Sequence, residues 1–165
     1  MKQLLVTTTV ILFFSFAGKT QLVNHGNIKF DFQIEKLPAT RHSSKNFKVT
    51  GTLYNPNKDT VYFLATSCNG IVYCLEYDTA AFIAEPGIYC NASWPIVEKI
   101  PPNAKHDFLF YVNVLVITNQ LKLGFNFYEV GSSFNVNDPK LSLGDAYRIN
   151  RDHKNIIWAE IKKLE

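Results

Sequence analysis

The sequence predicts an all-β protein, and three observations predict it. Apolar and polar residues alternate with a period of two through several short runs, the mark of strands with one wet face. Turn residues (Pro, Gly, Asn and Asp) separate those runs at intervals of about eight to twelve residues. The chain carries 13 Phe and 8 Tyr, which suit pleated, half-buried surfaces, and no stretch makes a convincing amphipathic helix.

The first residues stand outside this pattern. Met1-Lys2 gives a short positive start, Leu4–Phe16 is an apolar run, and Ser15-Phe16-Ala17 puts small residues on both sides of Phe16. Residues 1–17 therefore read as a secretory signal cleaved after Ala17. A membrane anchor is the competing reading, but the run is shorter than the ~20 apolar residues a spanning helix needs, and no second run follows. Export implies a periplasmic or secreted protein with no transmembrane segment after cleavage. The remaining length suits one domain with a single core. Without Lys2 the 17 basic residues become 16 against 14 acidic ones, so nothing resembles the basic stripe of a nucleic-acid binder.

Residues 18–27 are small and polar and read as a disordered leader, with the β domain spanning 28–165. Ile28–Ile34 alternates as the first strand. Leu37–Lys45, with Pro38, reads as a loop. Phe47, Val49, Gly51 and Leu53 mark the second strand, ended by Asn55-Pro56-Asn57-Lys58-Asp59. Thr60–Cys68 and Ile71–Asp78 then flank Asn69-Gly70, the strongest short-range signal of a β-hairpin. Thr79–Ala84 reads as a short strand or rim, and Glu85-Pro86-Gly87 as a turn. Trp94–Lys99 is a strand cut off by Pro101-Pro102-Asn103. Asp107–Thr118 is the longest β run; apolar residues on both faces predict a central strand covered on both sides. Asn119-Gln120 leads to a strand over Lys122–Val130, and Asn155–Ile161 closes the chain. Gly131–Lys154, before the last strand, lacks periodicity and is long for a connection. The whole predicts a single immunoglobulin-like β-sandwich of about 8 antiparallel strands. A closed eight-stranded barrel is the competing architecture.

Exported proteins can hold disulfides, and the three cysteines allow one within the chain. A two-residue turn at Asn69-Gly70 would set Cys68 opposite Ile71 and point Cys68 and Cys74 to opposite faces, which prevents a bridge between them. Cys68–Cys90 is then the better pair, with Cys74 as the odd thiol. A Cys74–Cys90 pair and three buried, reduced thiols stay open.

Catalytic chemistry finds little support. His25, His42, His106 and His153 are scattered, and Cys68 and Cys74 lack the spacing of zinc ligands. The one Met is Met1, unlike copper carriers. No Gly-x-Ser-x-Gly occurs, His106-Asp107 reads better as a polar strand entry, and Glu85, Glu98 and Glu129 are isolated. No catalytic residue, metal or cofactor is therefore assigned. The candidate binding residues fall in two groups. Tyr89 and Trp94, with Tyr73 and Tyr77, could form an aromatic platform, against the simpler reading of core filling. Arg148, Arg151 and His153 belong to the long Gly131–Lys154 segment, which is either a binding loop or a solvated connection. Asn91-Ala92-Ser93 matches a glycosylation acceptor.

Several segments together carry a resemblance: the apolar leader, Leu53–Val61, Thr66-Ser67-Cys68, Cys90-Asn91 before Trp94-Pro95, Ile100–Asn103, Lys122–Phe125 and Ile156–Ala159. The chain resembles small exported bacterial proteins of immunoglobulin-like β-sandwich type. The resemblance implies fold and address, and a Cys68–Cys90 pair from which Cys74 departs; it implies no catalytic residue. The expected function is a non-enzymatic binding or adhesion module for a protein or glycan at the envelope or outside the cell. A sandwich-type proteinase inhibitor is the alternative, and a hydrolase of extracellular polymers the third.

Overall fold

The computed structural model of the chain describes residues 27–38, 46–68, 70–90, 94–135, 148 and 155–164. The expected signal, most of the leader and most of Gly131–Lys154 lie outside them. Within them the protein is all-β with antiparallel sheets. Twelve strand segments replace the eight expected: β1 Lys29–Lys36, β2 Phe47–Tyr54, β3 Val61–Thr66, β4 Leu75–Glu76, β5 Phe82–Pro86, β6 Pro95–Ile100, β7 Lys105–Val114, β8 Gln120–Leu121, β9 Gly124–Asn126, β10 Glu129–Val130, β11 Ile156–Trp158 and β12 Lys162–Lys163.

One sheet has the order β1-β2-β7-β5. Its alternation is the one the sequence announces: Phe30, Phe32, Val49, Leu53, Phe108, Phe110 and Val112 are buried, while their neighbours in the strands stay wetter. β7 lies inside this sheet, as its length suggests, yet on its second face only Asn113 is buried. Leu109 and Tyr111 remain partly exposed, and the strand stops at Val114. Gly51 faces Phe108 across the β2–β7 ladder, and a Cβ there would come within 2.5 Å of the Phe108 ring. Pro86, expected in a turn, ends β5 opposite Phe110; an edge strand tolerates a residue that cannot donate to the ladder.

The remaining segments follow four further lines. β10 and β9 lie on one stretch, pairing with β3 and β4 respectively. From Phe63 to Leu75 the chain advances twelve residues while its partner moves only four, from Glu129 to Phe125. The eight extra residues, 67–74, are an insert in an otherwise continuous strand line. On the far side, β11 pairs with β9 and β12 with β8. Between Trp158↔Gly124 and Lys162↔Leu121 one strand advances four residues and the other three, the one-residue excess of a β-bulge. β6 pairs with the other edge of β3. Twelve segments thus fall on eight lines, because three strands are interrupted.

One apolar cluster spans both groups of strands. Its centre is a set of phenylalanines: Phe125 of β9 lies 5.8 Å from Phe30, 5.6 Å from Phe108 and 6.2 Å from Phe63. These separations fall in the range where ring pairs add to simple area burial. The packing is consistent with a β-sandwich. At one edge Lys162 of β12 reaches Asp31 of β1 at 2.9 Å and lies over the Phe32 ring. Partial burial raises the Asp31 pKa, but the Lys162 contact and the Phe32 backbone outweigh it and hold the carboxyl below its usual value.

The expected hairpin at Asn69-Gly70 does not form. Thr66 ends β3, Gly70–Cys74 is a short 3-10 helix, and β4 pairs with β9 instead of β3. A type I′ turn needs positive φ at both central residues, whereas Gly70 does not have it; Cys68 does, at 60°. Gly70 is buried because its missing side chain makes room for the Thr66 hydroxyl, which a Cβ would overlap. Burial of Ile71, Val72 and Cys74 holds the helix against the core.

Candidate functional site

The 67–74 insert and the connection from β5 to β6 are bound to each other. Cys68 and Cys90 form a disulfide, with Cα atoms 6.0 Å apart and a sequence separation of 22. Beside it, Ser67 and Trp94 exchange two hydrogen bonds: the Ser67 N–H donates to the Trp94 carbonyl at 2.8 Å, and the Trp94 N–H to Ser67 Oγ at 2.9 Å. The pair expected from hairpin register is therefore present, but for another reason. The insert swings Cys68 out to the surface while the helix that follows buries Cys74. Burial pushes the Cys74 thiol up to about 12.

Around this clamp the side chains run against ordinary burial. Tyr73 is 60 % exposed, Tyr89 67 % and Trp94 70 %, with Ile88 also exposed. The Tyr89 hydroxyl donates to Glu85 Oε2 at 3.0 Å, and Asn113 Nδ2 donates to Glu85 Oε1 at 2.8 Å. Glu85, on an edge strand, thus fixes the Tyr89 ring to the sheet. Desolvation, then the bond to Glu85 and its negative charge, raise the Tyr89 pKa. Two buried acceptors flank the clamp without a hydrogen-bond partner, Thr66 Oγ1 and Asn113 Oδ1; such orphans are few in native proteins.

Of the expected aromatic platform, Tyr73, Tyr89 and Trp94 stand on the clamped segments. Tyr77 does not join them: it is half-buried against the core, and its hydroxyl accepts the Ala84 N–H at 3.1 Å. Arg148 is exposed, while Arg151, His153 and Asn91–Ser93 lie outside the described residues. His106 packs edge-on against Phe63, and among the described residues no three His, Cys, Asp or Glu side chains group as metal ligands.

The fold also forms a cleft that the sequence does not announce. Tyr77, Asp78, Ala81, Phe82, Thr118, Gln120, Lys122, Trp158 and Ile161 line a cleft of about 480 Å³. Trp158 lies against Gly124, where a Cβ would approach its ring at 2.9 Å, and Lys122 Nζ sits 4.3 Å from the ring centre. Its lining residues come from three stretches, 77–82, 118–122 and 158–161, that meet only in the folded chain, so no local motif announces it.

No protein-family model and no curated protein matches this chain. No helix among the described residues is long and apolar enough to cross a membrane.

Proposed function

We propose that the protein is an exported, non-enzymatic binding module whose recognition surface is the aromatic rim of Tyr73, Tyr89 and Trp94. One observation carries this reading: three large aromatic side chains stay exposed on two segments that a disulfide and a pair of hydrogen bonds tie together. Exposed aromatic groups offer much contact area for little lost conformational entropy, and they dominate interface energetics. A clamp fixes their spacing before the ligand arrives, which lowers the ordering cost of binding. The ligand class is a protein segment or glycan at the envelope or outside the cell, and both offer faces that pack on aromatic rings. The disulfide and the apolar leader support an oxidising, periplasmic or extracellular address. The resemblance to exported bacterial immunoglobulin-like sandwiches supports the same address.

The proteinase-inhibitor reading relies on Gly131–Lys154, most of which lies outside the described residues, and no observation favours it over the rim. The test is a glycan array and a pull-down from envelope extract, using the chain without residues 1–17. Binding lost in Tyr89→Ala and Trp94→Ala, at an unchanged melting temperature, supports the rim. Binding unaffected by both substitutions contradicts it.

A further inference from the structure

The connection between β7 and β8 carries three consecutive aliphatic residues that the fold does not cover. Leu115 is 51 % exposed, Val116 52 % and Ile117 107 %. Asp107–Thr118 reads as one continuous strand in the sequence, yet β7 ends at Val114; the Leu115 N–H still donates to the Ala81 carbonyl at 2.8 Å, and Val116 and Ile117 follow after that last bond. Thr118, the next residue, lines the cleft that also holds Trp158, Lys122 and Ile161, and Ile161 is itself 55 % exposed. β12 pairs with β8, and the Leu164 N–H donates to the Asn119 carbonyl at 2.9 Å. The aliphatic tip, a half-exposed tryptophan and the exposed Lys122 and Lys163 therefore belong to one end of the molecule.

We propose that this end docks on a lipid surface. The Leu115–Ile117 tip enters the acyl region, Trp158 sits at headgroup level, and Lys122 and Lys163 meet anionic headgroups. Three observations favour lipid over a protein partner. All three tip residues are exposed at once, so a fluid phase that surrounds the tip covers them where a flat protein face reaches one side. Trp158 has the amphipathic ring that settles at membrane interfaces. Lys48 and Lys162 are held by Glu35 and Asp31, whereas among the described residues no ion pair holds Lys122 or Lys163. Asp78 and Glu160 are exposed nearby, so the electrostatic contribution is modest and the tip carries the affinity. None of these residues belongs to the aromatic rim, and the two readings stand or fall separately.

The experiment uses the chain without residues 1–17, whose apolar run would bind lipid by itself. In Trp94→Phe, Trp158 is the sole tryptophan. Its emission is expected to shift to the blue on adding phosphatidylcholine vesicles containing phosphatidylglycerol, with a smaller shift on phosphatidylcholine alone. Adding Ile117→Asp or Val116→Asp is expected to weaken co-sedimentation about tenfold or more with an unchanged melting temperature. No shift on either vesicle, or a shift that survives both tip substitutions, overturns the proposal. In that case the tip becomes a contact for a protein partner, which a pull-down sensitive to Ile117→Asp would reveal.

Discussion

Asn55 is the most demanding single residue of the fold. Fully buried, it donates through Nδ2 to the carbonyls of Asp59 at 2.9 Å and Ile100 at 2.8 Å, while its Oδ1 accepts the Asn57 N–H at 3.0 Å. It thereby joins the turn after β2 to the end of β6. Replacing it by Leu leaves buried carbonyls without donors, and chemical denaturation should show a loss of about 2–4 kcal/mol. Gly51→Ala puts a methyl group into the Phe108 ring, and the same measurement should show about 1–3 kcal/mol lost to overpacking. Cys74 gives a pH signature. Its folded pKa of about 12 lies above the ordinary value of 9.0, so the neutral thiol favours the fold. That stability is fully present below pH ~9 and falls by about 1.4 kcal/mol per pH unit as pH rises toward 12. Denaturation curves across this window should be flatter in Cys74→Ala than in the parent chain.

At the scale of elements, the interruptions are what the sequence concealed. β1, β2 and β7 could be read because each alternates regularly and keeps the same neighbours along its length. Asn69-Gly70 misled because a local turn signal competes with burial of Ile71, Val72 and Cys74, and tertiary packing decided for a helix. The strand expected over Lys122–Val130 changes partners along its length, which no periodicity encodes. The Cys68–Cys90 pair was legible, but through a register the chain does not adopt. Tyr89 and Trp94 stood out as aromatic residues in a loop, whereas Lys122 and Trp158 looked like ordinary strand residues. Closing a loop of this size stabilises a fold by about 3 kcal/mol in the chain-entropy account. Cys68→Ala/Cys90→Ala should therefore lower stability by about that amount, read by denaturation. It should also raise amide exchange in residues 87–90 and 94 while leaving β1, β2 and β7 protected.

Across the whole molecule, one phenylalanine-rich core supports two surfaces of different character. The core explains why the strands hold together, and it makes no demand on Tyr73, Tyr89, Trp94 or Ile117, all of which the fold leaves in water. Natural monomers bury or scatter such residues, and here they gather at a clamp and at a tip. The rim is the central claim, and preorganisation by the disulfide is its physical content. The most direct measurement compares the oxidised protein with its Cys68→Ala/Cys90→Ala variant on the same glycan array and envelope extract, below the melting temperature of both. The account predicts that ligands lost on substituting Tyr89 and Trp94 also bind the cysteine variant more weakly, chiefly through faster dissociation. Equal retention by the oxidised protein, the cysteine variant and the Tyr89→Ala/Trp94→Ala variant would contradict it.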